Sequence, residues 1–145
     1  MLSEKRIKKY FANARLLAES SDFDGTKKNV KIGCVLVYKN SIVATGYNTA
    51  KEHPTQQFYN QFREFDDTGE KPVRNTLHAE MSTMLRARYL NIDFNKCNLF
   101  VYRLKGDGTI GLAKPCGACE KFARELGIKN VYYTTEGGWA YERYE

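Results

Sequence analysis

Two short stretches carry residues whose types and spacing point to chemistry: His78-Ala79-Glu80 and Pro115-Cys116-Gly117-Ala118-Cys119. Cys116 and Cys119 stand three apart at what reads as a helix start, so their sulfurs share one face of the first turn. The free N–H groups and the positive dipole end there favour thiolate, the form that ligates metal. Pro115 costs no helical hydrogen bond at the entry. His78, at the start of another helix, adds a neutral nitrogen. Three protein ligands of this kind leave the fourth tetrahedral position of a zinc ion open, which marks a catalytic site. Water in that position has its pKa lowered toward neutrality. Glu80 is only two residues from His78, and in an ideal helix the two would point apart. At a helix start the backbone is not yet fully helical, so both can face the metal, and a carboxylate there can move protons.

Each fragment is weak alone, because H-x-E triplets recur by chance and C-x-x-C is shared by redox sites and zinc ribbons. Their joint occurrence, each at a helix start, matches the H-x-E…P-C-x-x-C pattern of zinc deaminases. The competing reading is a structural zinc closed by a fourth ligand. Cys34 and Cys97 are the spare thiols and His53 the spare histidine. Cys34 lies inside an apolar run and reads as core, and Cys97 borders a strand and reads as a small filler.

Several elements must position these residues. Residues 4–20 read as an amphipathic helix with Ser3 as N-cap and Ile7, Tyr10, Phe11, Leu16 and Leu17 at helical spacing. Residues 21–28 are polar, contain Gly25 and read as a loop. Residues 30–37 and 41–46 read as strands joined at a Lys39-Asn40 hairpin turn. Residues 48–77 form a long polar connection, of a kind that is usually functional or disordered. A helix is expected over 80–90, with Met81, Met84, Leu85 and Ala87 apolar. A strand over 99–104 precedes a Gly106-Asp107-Gly108 turn and an antiparallel return over 110–113. A helix over 117–126 ends at Gly127, and a strand follows over 131–135. Residues 136–145 read as a short helix or an irregular tail. The order is α-β-β-α-β-α-β, with the first two strands antiparallel and the later ones parallel across their helices. The expected fold is a three-layer α/β/α sandwich on a mixed sheet.

The 145 residues suit one domain, and an apolar fraction of 42% suits one compact core. No run of about eighteen apolar residues marks a membrane span. The charged start is unlike a signal peptide, so a cytoplasmic location is expected, and there a C-x-x-C pair reads better as metal ligands or a redox pair than as a disulfide. The formal charge of +6 fits a solvated basic surface or an anionic partner, a nucleotide or nucleic acid.

The chain resembles the cytidine deaminase-like superfamily, and within it the deoxycytidylate (dCMP) deaminases, including phage forms. The matching stretches are Ile32 to Val37, Thr45-Gly46-Tyr47-Asn48, His78-Ala79-Glu80-Met81, Lys114-Pro115-Cys116 to Cys119, and Gly127 to Tyr133. The resemblance implies a three-layer cytidine deaminase-like sandwich with a parallel last strand pair. It implies one catalytic Zn2+ on His78, Cys116 and Cys119, with Glu80 as the proton carrier. Asn48 would contact sugar or base. The backbone N–H of Ala79 and the carbonyl of Lys114 would flank the base edge. A homo-oligomer is also implied. Some relatives carry an extra structural zinc in the loop before H-A-E, but here that loop offers His53 alone as a strong ligand.

Three functions follow. The first is hydrolytic deamination of a free cytosine nucleotide, dCMP to dUMP. The second is deamination of a base in tRNA or single-stranded DNA, kept open by Lys5, Arg6, Lys8 and Lys9. The third is a zinc-stabilised binding domain without catalysis, which would have no use for Glu80. For the first, Arg63 and Arg74 in the 48–77 connection are the expected phosphate partners, with Lys51 and Lys71 nearby in sequence. Tyr59, Phe62 and Phe65 in the same connection read as anchors of the loop or as a stacking surface for a base.

Overall fold

The computed structural model describes residues 2–21, 30–63 and 76–145. The 21–28 loop, except Ser21, therefore lies outside the described residues, as do Phe65, Lys71 and Arg74. Helix α1 (Glu4–Ser20) starts where Ser3 Oγ accepts the Arg6 N–H at 3.3 Å. Its buried stripe is Ile7, Tyr10, Phe11, Ala14 and Ala18. Leu16, expected on that stripe, is exposed. The small residues Ala14 and Ala18 take the contact instead, letting the helix settle closely onto the sheet.

Strands β1 (Lys31–Tyr38) and β2 (Ser41–Tyr47) form the expected hairpin. Lys39 and Asn40 at its tip both have positive φ, 50° and 64°, as a two-residue turn with a compatible twist requires. Strand β3 (Asn98–Leu104) pairs antiparallel with β1 and parallel with β5 (Asn130–Thr135). The expectation of parallel pairing beyond the hairpin thus holds for β3 and β5, the strands joined through a helix, and not for β1 and β3. Strand β4 (Ile110–Gly111) returns antiparallel along the end of β3. The sheet order is β2-β1-β3-β5-β6, with β4 off this path.

Strand β6 (Gly138–Arg143) corrects the reading of 136–145 as helix or tail. It pairs antiparallel with β5 through a two-residue turn, Glu136-Gly137. The alternation of Trp139 and Tyr141 with Ala140 and Glu142 is a strand period. A second correction concerns 48–77. Helix α2 (Pro54–Tyr59) and a single 3-10 turn (Asn60–Phe62) lie within it. Its two ends are tied by the Glu52–Thr76 bridge and by the Thr49 and Leu77 N–H groups donating to Leu77 and Lys51 carbonyls.

Helices α3 (Ala79–Ala87) and α4 (Gly117–Leu126) complete the third layer. Gly127 closes α4 at φ 99°. Strand alternation sorts the core into two. Val35, Val37, Phe100, Tyr102 and Tyr132 meet α1 on one face. Cys34, Leu36, Leu99, Val101, Val131 and Tyr133 meet α3 and α4 on the other. Cys34 and Cys97 are both buried in this second core.

Candidate active site

His78 is the N-cap of α3 and Cys116 the N-cap of α4, so both ligands leave the chain where it turns from extended to helical. Cys119 sits one turn into α4 and is fully buried. The His78 Nδ1 lies 3.5 Å from the sulfur of Cys116 and 3.5 Å from that of Cys119. The three donor atoms all lie within 4.8 Å of one another. Tetrahedral zinc with its usual Zn–N and Zn–S bonds separates a nitrogen and a sulfur ligand by roughly 3.6 Å. One nitrogen and two sulfurs at that spacing, on helix starts that stabilise thiolate, fit zinc in both distance and donor type.

The thiols are electrostatically coupled. Cys116 is pushed down to about 3, by the hydrogen bond from Cys119 first and by His78 after burial has opposed it. Cys119 is pushed up by Cys116 and by its own burial. The two thiols therefore titrate as a coupled pair, with charge favoured on Cys116. Burial disfavours a charged His78 ring, but the Cys116 sulfur against it outweighs burial and the net direction is upward.

Glu80, in the first turn of α3, is 5% exposed, and its Oε1 has no hydrogen-bond partner among the described residues. Burial lifts its carboxyl to about 7. A cation on the three donors acts in the opposite sense. A buried, unpaired carboxyl oxygen is expensive unless something else uses it. A reacting proton is such a use.

A cavity of about 230 Å³ opens over these groups, lined by His78, Glu80, Cys116, Asn48, Lys114 and Arg103 among others. Asn48 is buried and largely committed to the fold. Its Oδ1 accepts from the Ile32 N–H and the Ser21 hydroxyl, while Nδ2 donates to the Val30 carbonyl. Asn48 also lines the cavity, and among the described residues only one of its two Nδ2 hydrogens has a partner. Ala79 is fully buried, and its N–H belongs to the first turn of α3, which has no partner within the helix. Lys114 lines the cavity, but its ammonium pairs with Glu142 on β6 at 3.1 Å. Arg63 sits close enough for its charge to act on His78.

Three residues of the site have no local motif. Gln56 on α2 is fully buried. Its Oε1 accepts the backbone N–H of His78 at 3.1 Å, and its Nε2 donates to Asn60 Oδ1 at 2.9 Å. It fixes the peptide that carries the metal ligand. Gly117 is the second: a Cβ there would fall 2.2 Å from the Phe62 carbonyl oxygen, so only glycine lets the 60–63 segment lie across the start of α4. Tyr59 anchors that segment, stacking on Phe122 at 4.9 Å and donating to Glu125. The third is Arg103, on β3. His53 caps α2, its Nδ1 accepting the Thr55 N–H at 3.1 Å, a role that competes with metal ligation.

Gln56→Leu is expected to weaken zinc binding by roughly 10–100-fold, the usual cost of losing a group that orients a ligand. Competition with a chromophoric chelator measures it. Unchanged affinity in a folded variant would mean that the bond to His78 positions nothing.

The sequence profile of the cytidine and deoxycytidylate deaminase zinc-binding region matches residues 4–135. No protein of curated function matches the chain in sequence. Among solved structures, the fold is similar to the dCMP deaminase of cyanophage S-TIM5 in complex with dCMP and dUMP. The TM-score is 0.60 at 22% identity, over 93% of this chain and 85% of that one. It is also similar to the cytidine deaminase of Burkholderia pseudomallei, with a TM-score of 0.61 at 17% identity over 98% and 93% of the two chains. For the cytidine deaminase of Mycobacterium tuberculosis the values are 0.55 and 17%, over 94% and 88%. With the profile covering most of its length and a zinc-type donor set at its centre, the chain belongs to the cytidine and deoxycytidylate deaminases, a family of zinc-dependent hydrolases.

Proposed function

We propose that the protein hydrolyses the exocyclic amine of a free cytosine nucleotide, converting dCMP and water to dUMP and ammonia. The observation that carries this reading is the cavity itself. It has a volume of about 230 Å³ and brings a buried carboxyl with one oxygen unpartnered among the described residues, a zinc-type donor set and an arginine to one place.

His78, Cys116 and Cys119 would hold the ion, which when bound supplies a Lewis acid that makes water nucleophilic near neutral pH. Glu80 takes a proton from the attacking water and passes it to the ring nitrogen. Once the water oxygen is bonded to the amino-bearing carbon, Glu80 takes the remaining proton of that hydroxyl and delivers it to the amino group, so the carbonyl forms as the carbon–nitrogen bond breaks and ammonia leaves. A single carboxyl can serve in turn as base and as acid in such a sequence. The first-turn amide of Ala79 and the carbonyl of Lys114 are the groups we assign to selecting an amino-bearing ring edge.

The polymer reading leaned on Lys5, Arg6, Lys8 and Lys9. These lie on α1, which covers the sheet face opposite α3, α4 and Glu80. A strand bound along α1 would be held away from the reacting groups, which favours the free nucleotide.

The test is ammonia release from cytosine, deoxycytidine, dCMP, dCTP and single-stranded DNA. dCMP should exceed deoxycytidine in kcat/KM by roughly one to three powers of ten, the value of one or two charge-assisted contacts to phosphate. Equal activity on the two would refute the nucleotide reading. Greater activity on DNA, falling steeply with added salt, would replace it with the polymer.

A further inference from the structure

Arg103 was unremarkable as a sequence position, and the fold makes it unusual. On β3 it shares the parity of Leu99 and Val101, so it points to the face that carries α3 and α4. It stands opposite Ile32 on β1 and opposite Gly111 on β4. Its stem runs across Gly111: a Cβ at that glycine would sit 3.0 Å from Arg103 Cδ and 3.2 Å from Cγ. The glycine therefore leaves the passage that the arginine occupies. The backbone N–H of Arg103 donates to Thr134 Oγ1 at 3.1 Å, and its Nη1 donates to the Leu112 carbonyl at 3.3 Å. The side chain is thus held at both ends.

It lacks an anion among the described residues. Among the described residues no carboxylate pairs with Arg103, and its Nε is buried without a hydrogen-bond partner. Positioned guanidinium groups with unused donors present a fork that matches phosphate oxygens. The other cation on the cavity wall, Lys114, is already paired with Glu142. Arg63 is not among the described residues that line the cavity. Arg103 is also shared with an adjoining recess, lined by Val30, Lys105, Gly106 and Asp107, so it stands where the cavity continues outward.

We infer that Arg103 is the specificity-determining residue that reads a phosphate of the substrate, its guanidinium taking the anionic oxygens while the base lies over Glu80. This rests on the nucleotide reading above. The phosphate could belong to a free nucleotide or to a phosphodiester, and the substrates used in the test separate the two.

The experiment compares wild-type protein with Arg103→Gln and Arg103→Lys on deoxycytidine, dCMP and a short cytosine-containing DNA oligonucleotide. Binding of dUMP and deoxyuridine is followed by calorimetry as a readout independent of turnover. The ratio of kcat/KM for dCMP to that for deoxycytidine should fall by roughly 10–1,000-fold in Arg103→Gln. It should fall less in Arg103→Lys, which keeps the charge and loses the fork. Binding of dUMP should weaken in step, whereas deoxyuridine binding should not follow it. A wild-type preference for dCMP that survives in a folded Arg103→Gln protein overturns the inference and leaves the nucleotide reading in place. Should Arg103→Gln fail to fold, an Arg103→Lys protein with the wild-type substrate ratio and wild-type dUMP affinity overturns it equally. No wild-type preference for a phosphorylated substrate defeats both. An oligonucleotide preference that Arg103→Gln removes keeps Arg103 as the phosphate reader and moves the phosphate to a polymer.

Discussion

Glu80→Gln is expected to lower turnover by on the order of 10²–10⁴-fold, and by more if one carboxyl serves every proton transfer. Zinc should stay at about one ion per chain. The substitution preserves shape in a site that is 5% exposed, so packing around the side chain hardly changes. It removes only the ability to take a proton and give it back. Glu80 is not one of the three clustered donors, and its loss leaves their mutual distances untouched. Metal analysis, thermal unfolding and ammonia release on one preparation make the test. Near wild-type turnover would refute Glu80 as the proton carrier. Loss of zinc would make it a structural residue instead.

Cys116→Ala and Cys119→Ala should each release the ion and end activity, and each should destabilise the protein. An ion present at a thousand times its dissociation constant stabilises by about 4 kcal/mol. Losing that corresponds to a fall in Tm of roughly 8–16 °C for a chain of this size. The two changes should not add, because the first already removes what the second would. Chelator treatment of the wild type should reproduce the same fall. The thiols differ in setting, Cys119 fully buried within α4 and Cys116 partly exposed at its cap, so Cys119→Ala also leaves a small void. A variant that keeps one zinc per chain would show that the ion sits elsewhere.

The candidate metal centre was legible because its ligands are coded locally. A three-residue cysteine spacing, a proline before it and a histidine two before a glutamate each act within one turn. Helix α1 and the Lys39-Asn40 hairpin were legible for the same reason, with a cap and a turn written in adjacent residues. The 54–59 helix was missed although His53-Pro54 is a start signal, because its inward side chain is Gln56 and apolar periodicity is silent there. The last strand was missed because Glu136-Gly137 was not taken as a hairpin turn. Gln56, Gly117 and Arg103 could not have been found from neighbours in sequence. Each matters through a contact with a distant segment: the His78 amide, the Phe62 carbonyl and the cavity wall. The phosphate partners expected from sequence came from charge in the 48–77 connection, whereas the arginine on the cavity wall comes from strand parity.

Strand β6 has a further consequence, for solubility. The strand it covers, β5, reads Asn130-Val131-Tyr132-Tyr133-Thr134-Thr135, six residues without a charge and rich in aromatic and β-branched side chains. Such a segment with an open hydrogen-bonding edge is a template for cross-β stacking. Pairing with β6 hides that edge, and β6 presents Glu142 and Arg143 toward its own end. The outermost strand thus acts as a guard against self-association, and any change that loosens it turns a core strand into an adhesive one.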